Sequence, residues 1–211
     1  SATDISEKYI EAYKKDLKSL GLRPQDHNPK VSTHMPQIID FVKTLIEKDY
    51  AYESNGDVNY SIEKFKEYGK LSGRKVEDLL EGVRIDVSEK KKSPLDFALW
   101  KGAKPGENLR GSSWESPWGA GRPGWHIECS AMVKALFGNQ IDIHGGGLDL
   151  LFPHHENEVA QSEGCTGEHY AKYWMHWNLI NFGGSKMSKS LGNVVNMHEF
   201  LETSHPEIYK W

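Results

Sequence analysis

The sequence predicts an α/β fold that follows a helical and mixed α+β part. From about Gly124 onward, segments with helix and strand patterns alternate, and a glycine-rich turn follows a strand. This is the arrangement of nucleotide-binding crevices in open α/β sheets. Before that point the chain shows two amphipathic helix patterns and a hairpin signal. Its 211 residues, 37% hydrophobic and 27% charged, suffice to bury a core in one or two domains.

Residues 1–49 predict two helices that form an antiparallel pair. Asp4 and Glu7 have the spacing of a capping box, and Gly21 is expected to end the first helix. The second helix is predicted from about His34 to Lys48. The apolar positions at helical spacing are Ile5, Tyr9, Tyr13, Leu17 and Leu20 in the first helix, and inward-facing Ile38, Ile39, Val42, Leu45 and Ile46 in the second.

Residues 50–122 predict a β-hairpin and then a polar, broken stretch. Asn55-Gly56 separates two strand patterns, at 50–53 and 57–60, and this dipeptide is typical of a type I′ turn. The lysine run at 90–92 is interpreted as a solvated loop rather than an RNA contact. Tryptophans at 100, 114 and 118 are expected to pack within this part of the chain.

Residues 123–193 carry the alternating pattern, and 194–211 are expected to begin a further helical region. The pattern predicts a helix over 125–137, a short buried strand over 140–144, a helix over about 153–164 and strand structure over 173–182. The loop at 183–193 then concentrates lysine, serine and glycine, which suits closure over a polyphosphate. A solvated turn is the alternative interpretation of this loop.

Charge and cysteine content limit the class of protein. A net charge of −4 does not indicate a nonspecific nucleic-acid binder. The two cysteines, Cys129 and Cys165, do not make a disulfide framework, so a reducing cytoplasm is expected. We expect neither a signal peptide nor a membrane segment.

Three side chains are candidates for a metal site. His154 and Glu158 lie four residues apart on a predicted helix and therefore share a face, which suits two ligands of a tetrahedral zinc. Cys129 lies near the start of its own helix, where the dipole and a metal would both favour the thiolate. A surface hydrogen bond between His154 and Glu158 is the alternative.

Four motifs in this order resemble cysteinyl-tRNA synthetases, a family of class I aminoacyl-tRNA synthetases. They are WGAGRPGWHIECSAM at 118–132, HGGGLD at 144–149, FPHHENE at 152–158 and KMSKS at 186–190, and a looser match includes YGKLSGR at 68–74. The resemblance implies the second half of a Rossmann-like catalytic domain, with a connective insertion at 50–122. The family's His-Ile-Gly-His motif, N-terminal zinc-ligating cysteine and anticodon-binding region are not found, so we expect an internal fragment that is inactive alone.

The resemblance also implies roles for particular residues. Cys129, His154 and Glu158 would bind one Zn²⁺ per subunit, with the fourth ligand from the family's N-terminal cysteine. This zinc would select cysteine by its sulfur. Trp125 is expected to form a wall of the substrate pocket or else to lie in the core. His155 is expected to point elsewhere on the helix, as a residue that supports the ligands or packs beside them. Cys165 is expected to be a bystander that takes no part in the site. The nucleotide and substrate contacts would be His144, Gly146, Asp149 and Lys189, and the catalytic lysines Lys186 and Lys189.

The function that the resemblance implies is cysteine–tRNA ligase. ATP, with Mg²⁺, would activate L-cysteine to an adenylate, and the aminoacyl group would pass to tRNA(Cys). Two alternatives stay open from the sequence: a ligase of the same superfamily that joins cysteine to an amino-sugar, as in mycothiol biosynthesis, and a non-catalytic zinc-binding module.

Overall fold

The computed structural model describes residues 1–76, 78, 91–107, 111–178, 181–182, 185–186 and 196–210. The chain divides into two compact units, one formed by Ser1–Asn28 with Leu179–Trp211 and the other by Pro29–Asn178. The two helices predicted for residues 1–49 are both present, but they belong to different units. The boundaries predicted at 49/50, 122/123 and 193/194 stay predictions.

The helices and strands alternate as expected in the second half of the chain. In chain order they are α1 (Ala2–Ser19), α2 (Met35–Glu47), β1 (Ala51–Ser54), β2 (Asp57–Tyr60), β3 (Phe97–Gly102), β4 (Gly121–Pro123), α3 (Trp125–Phe137), β5 (Ile141–Gly147), α4 (Glu156–Thr166), β6 (Ala171–Trp177), β7 (Asn181–Phe182), β8 (Ser185–Lys186), α5 (Met197–Thr203) and α6 (Pro206–Lys210). None of the described helices has both the length and the apolar character that crossing a membrane requires.

The first helix begins earlier than predicted. Ser1 is the N-cap of α1, and its hydroxyl accepts the Asp4 N–H while the Asp4 carboxylate accepts from the Ser1 backbone. Asp4 is therefore the N3 residue of a capping box, not its N-cap. The apolar positions of the first turns are exposed: Ile5 by 61%, Tyr9 by 66% and Tyr13 by 53%.

A four-stranded antiparallel sheet, in the order β1-β2-β3-β4, contains the predicted hairpin. Its turn is confirmed, since Asn55 and Gly56 both have positive φ, 52° and 77°. Strand β3, in the stretch expected to be broken, was not predicted. It pairs with β2 and places Trp100, which is fully buried, against Trp118.

The three long helices of the second unit pack on one another around the core. Helix α2 contacts α3 and α4 through a face that includes Ile38, Val42 and Leu45, all fully buried. The predicted inward face is thereby confirmed at these positions, whereas Ile39 and Ile46 are only partly buried. Helix α4 is buried along most of its length although many of its side chains are polar, so those side chains need partners.

Strands β5 and β6 form a parallel pair whose register opposes His144 to Trp174. The prediction of a short buried strand at 140–144 was wrong in length and in burial. The strand continues to Gly147. Its residue Ile143 is 60% exposed, and Tyr173, which lies opposite it on β6, is 68% exposed. Alternate residues point to opposite faces of a strand. On the face of Ile143 and Tyr173, the first pair, Ile141 and Ala171, packs with the core, and on the other face His144 and Trp174 are partly buried.

Candidate metal centre

Three elements bring the predicted zinc ligands together. Cys129 lies in the second turn of α3, Glu158 in the first turn of α4, and His154 in the kinked π-helical turn Leu151–His155 that leads into α4. The ligand atoms of these three side chains all lie within 4.8 Å of one another. His154 Nε2 lies 2.9 Å from Glu158 Oε1, so the i,i+4 pair shares a face as expected. It is not a surface pair, because both residues are buried.

Glu158 is the centre of this group. Its residue is 1% exposed, and burial alone would favour the protonated acid. Contacts with His144 and His154 outweigh burial and lower the pKa of the Glu158 carboxyl to about 2. The site therefore contains a carboxylate that stays ionised at neutral pH.

The imidazole ring of His126 contacts the ring nitrogen of His154 that does not face Glu158. His126 Nδ1 and His154 Nδ1 lie 2.9 Å apart and share a hydrogen bond. Burial lowers the pKa of His126 to about 4. A histidine that binds a metal through one ring nitrogen is commonly oriented by a hydrogen bond to the other, and His126 meets that need for Nε2 ligation by His154.

Trp125 lies at the mouth of the group and not in the core. Its side chain is 57% exposed, and its ring centroid lies 4.5 Å from that of His154. The interpretation as a core tryptophan was therefore wrong. The alternative, a wall of the substrate pocket, stays a prediction that this location supports.

Cys129 requires a correction. Burial, with smaller effects of the Glu158 and Glu128 charges, raises the pKa of its thiol to about 12. Burial also raises the pKa of Glu128 to about 7. The start of helix α3 therefore does not by itself produce a thiolate, because desolvation outweighs the helix dipole. A cation beside the sulfur would stabilise the thiolate, which the helix dipole alone does not.

The donor set suits zinc. Thiolate sulfur, imidazole nitrogen and carboxylate oxygen are the ligands that Zn²⁺ takes in proteins. The ionised Glu158 carboxylate and the Cys129 sulfur lie within 4.8 Å of each other, and a bound cation would pair with the first and displace the proton of the second. The residues present therefore fit a bound Zn²⁺.

A second group of side chains surrounds the other oxygen of Glu158. The ligand atoms of His144, His155 and Glu158 also lie within 4.8 Å of one another. His144 Nε2 is 3.1 Å from Glu158 Oε2, although the angles are not those of a hydrogen bond. His155, expected to point elsewhere on the helix, faces this group, and its Nδ1 shares a hydrogen bond of 2.7 Å with His176 Nε2.

The residues predicted for the nucleotide lie at the end of β5 and just after it. Gly146 permits the approach of His155, since an added Cβ would lie 2.9 Å from Cε1 of that ring. His144 faces Glu158 and is partly buried, whereas Asp149 is exposed in a short 3₁₀ turn. The structure thus places His144 and Gly146 beside the side chains that surround Glu158. The nucleotide contacts of His144, Gly146 and Asp149 stay predictions.

The two lysines predicted to be catalytic lie in and after strand β8. Lys186 is described only as the backbone end of strand β8, and Lys189 lies outside the described residues. The predicted bystander, Cys165, is buried in the last turn of α4, and its carbonyl oxygen accepts a hydrogen bond from Lys48 Nζ at 2.6 Å.

The start of α4 is fastened to the segment at 68–74. The fully buried carboxylate of Glu156 accepts the backbone N–H of Gly69 at 2.9 Å and of Ser72 at 2.7 Å, and lies 3.5 Å from that of Leu71. The neighbouring Asn157 accepts from Tyr68. The start of α4, which carries Glu158, is therefore held by donors that are distant in sequence.

Sequence reasoning missed three members of the site: His126, Tyr170 and His176. His126 lies three residues before Cys129, so the i,i+3 spacing was a usable signal. Tyr170 and His176 reach the site from the segment that contains β6, and only the tertiary structure brings them there.

Comparison with known proteins places the whole chain in one group. Residues 1–211 match the family described as tRNA synthetases class I (C) catalytic domain. The chain is 68% identical over 211 residues to a cysteine–tRNA ligase of Bdellovibrio bacteriovorus, a match that covers 100% of this chain and 43% of that protein. It is 54% identical over 206 residues to the cysteine–tRNA ligase of Aquifex aeolicus, a match that covers 98% of this chain and 41% of that protein. It is 53% identical over 208 residues to the cysteine–tRNA ligase of Thermococcus onnurineus, a match that covers 99% of this chain and 43% of that protein.

Proposed function

The chain belongs to the family of class I (C) tRNA synthetase catalytic domains, and from that premise we propose that it supplies part of the active site of a cysteine–tRNA ligase. The observation that carries the proposal is the convergence of the partly buried Cys129 with the buried His154 and Glu158, whose ligand atoms lie within 4.8 Å of one another. A sulfur, nitrogen and oxygen ligand set of this kind serves a task that shape alone performs poorly, namely separating cysteine from serine and alanine.

The selection of cysteine would rest on the metal. A hydrophobic pocket distinguishes side chains that differ by one group only about 10–200-fold. Zinc, when bound by the three residues, offers a coordination position that prefers a thiolate to a hydroxyl or a methyl group. His126 keeps the His154 ring in place, and Trp125, exposed beside it, covers one side of the pocket.

The chemistry of the reaction would need little from protein nucleophiles. The cysteine carboxylate attacks the α-phosphorus of ATP, the new P–O bond forms, and pyrophosphate leaves with Mg²⁺. Lys186 and Lys189 would neutralise the charge of the leaving pyrophosphate, and Gly146 and Asp149 would border the adenylate. A hydroxyl of the terminal adenosine of tRNA(Cys) then takes the aminoacyl group. Such catalysis consists mainly of positioning and electrostatic stabilisation.

We place this reaction in the cytoplasm, since both cysteines are free thiols and free thiols persist in a reducing compartment. The two alternatives drawn from the sequence, a cysteine–amino-sugar ligase and a non-catalytic zinc module, gain no support from relatives that are named cysteine–tRNA ligases.

The test of the proposal is the zinc content of the purified chain and of two alanine variants. We expect roughly one Zn²⁺ per chain in the wild type, and loss of the metal in Cys129→Ala. Cys165→Ala is the matched control, because Cys165 is also a free thiol, buried where Cys129 is partly buried, but lies outside the ligand group. Zinc that survives in Cys129→Ala, or a folded wild-type chain that takes up no zinc, would refute the metal centre.

A further inference from the structure

Tyr170, which lies just before strand β6, contacts the predicted metal ligand Glu158. It is 2% exposed, and its hydroxyl donates a hydrogen bond of 2.9 Å to Glu158 Oε2. Its ring lies beside those of His144 and Trp174, at centroid distances of 5.6 and 6.0 Å. The packing of the ring fixes the hydroxyl, so the hydrogen bond has little freedom to move.

The two oxygens of Glu158 consequently have different surroundings. Oε1 faces His154 Nε2 at 2.9 Å, on the side of the predicted ligands. Oε2 accepts the Tyr170 hydroxyl and is approached by His144 Nε2 at 3.1 Å. Rotation of the carboxylate about its Cγ–Cδ bond would break the Tyr170 hydrogen bond, and the contact therefore fixes the plane of the carboxylate, with one oxygen directed toward His154.

We propose that Tyr170 is a positioning residue of the metal centre: by occupying Oε2 it leaves Oε1 of Glu158 as the single oxygen offered to the ion. The inference rests on the proposed function, because it requires that Glu158 ligate a metal. It adds a residue that acts through Glu158 and not on the substrate. Hydrogen bonds of this kind to a metal ligand typically change metal affinity 10–100-fold when they are removed.

The test is the zinc affinity of Tyr170→Phe, measured on the 211-residue chain by competition with a chromophoric chelator. Phenylalanine keeps the ring and its packing and removes only the hydroxyl. We expect about 10–100-fold weaker binding and, in the Co²⁺-loaded chain, a changed visible spectrum, because the freed carboxylate alters the coordination geometry. A purely structural role would not change that spectrum.

Tyr60→Phe is the matched control. Tyr60 is fully buried, and its hydroxyl donates to the carbonyl oxygen of Ala160 at 2.8 Å, on the same helix α4. The variant therefore removes an equally buried hydroxyl from the same helix without touching a predicted ligand. Its zinc affinity and cobalt spectrum should match those of the wild type, and thermal unfolding of both variants shows whether they are folded.

A double-mutant cycle with Glu158→Gln separates positioning from other effects. If Tyr170 acts through Glu158, the Tyr170→Phe change has no further effect on affinity in the Glu158→Gln background. Equal affinities of Tyr170→Phe and Tyr60→Phe, or an undiminished effect in the Glu158→Gln background, would overturn the inference and leave the metal centre standing. A folded wild-type chain that binds no zinc overturns the metal centre itself, so the two failures are distinguishable. A Tyr170→Phe chain that does not fold also overturns the inference, since the hydroxyl would then serve stability.

Discussion

Replacing Glu156 by glutamine should weaken the attachment of helix α4 to the segment at 68–74. The carboxylate is fully buried and accepts two good hydrogen bonds, from the backbone N–H groups of Gly69 and Ser72. Glutamine has nearly the same shape, but one of its two terminal atoms is an amide nitrogen, which donates and cannot accept. One backbone donor therefore loses its acceptor and faces another donor.

The size of the effect follows from these contacts. A hydrogen bond to a charged acceptor contributes roughly 1.5–3 kcal/mol, and leaving a buried donor unpaired costs a similar amount. The contact with the Leu71 N–H, at 3.5 Å, is long and adds little. We therefore expect Glu156→Gln to lower the free energy of unfolding by about 2–3 kcal/mol. At about 2–4 °C per kcal/mol for a chain of this length, the Tm falls by roughly 4–12 °C.

The assay is urea unfolding followed by circular dichroism, with Glu67→Gln as the control. Glu67 lies at the edge of the same segment and pairs with Lys70 at 3.0 Å, but its side chain is 67% exposed. Exposed ion pairs contribute at most about 1 kcal/mol and often nothing measurable, so the control should change little. Tryptic cleavage after Lys70 and Arg74 should accelerate in Glu156→Gln alone. If the two variants were equally stable and cleaved at the same rate, the attachment of α4 by Glu156 would be refuted.

Two further outcomes follow from burial. Leu45→Ala should lower the free energy of unfolding by about 2–5 kcal/mol, because Leu45 is fully buried, whereas Leu148→Ala, at a residue 48% exposed, should cost much less; equal losses in thermal melts would contradict the assigned core. Burial raises the pKa of Tyr60 and Tyr68 above the usual range. The free energy of unfolding should therefore be at its full value below about pH 10. It should fall as the pH rises further, because the unfolded chain then releases protons that the folded chain keeps. Tyr60→Phe should make that alkaline decline of Tm shallower, and an unchanged slope would show that Tyr60 ionises freely in the folded chain.

Elements with a local signal were predictable from the sequence. The Asn55-Gly56 turn, the helix that begins at Trp125 and the Pro36-containing start of α2 depend on turn chemistry and on helical periodicity, and both are properties of neighbouring residues. Strand β3 was missed because its pairing with β2 joins residues far apart in sequence, Val58 with Trp100. Burial of β5 was overestimated because an apolar pattern does not reveal how many strands flank it.

The candidate site divides in the same way. The His154–Glu158 pair could be found from i,i+4 spacing, and Cys129 from the family resemblance, and the structure brings the three together. Tyr170 could not be found, since its contact with Glu158 spans the turn between α4 and β6 and depends on how that turn packs. The start of helix α3 does not by itself lower the pKa of the Cys129 thiol, for a physical reason: helix position is visible in a sequence, but desolvation is not.

The central claim is that a metal held by Cys129, His154 and Glu158 selects cysteine through its sulfur, and the most direct test is amino-acid binding to the Co²⁺-loaded chain. Addition of L-cysteine should intensify the sulfur-to-cobalt charge-transfer absorption, since a second thiolate joins that of Cys129, and L-serine at the same concentration should leave the spectrum unchanged. An equal response to both amino acids, or no response to cysteine in a chain that has bound cobalt, would contradict the account.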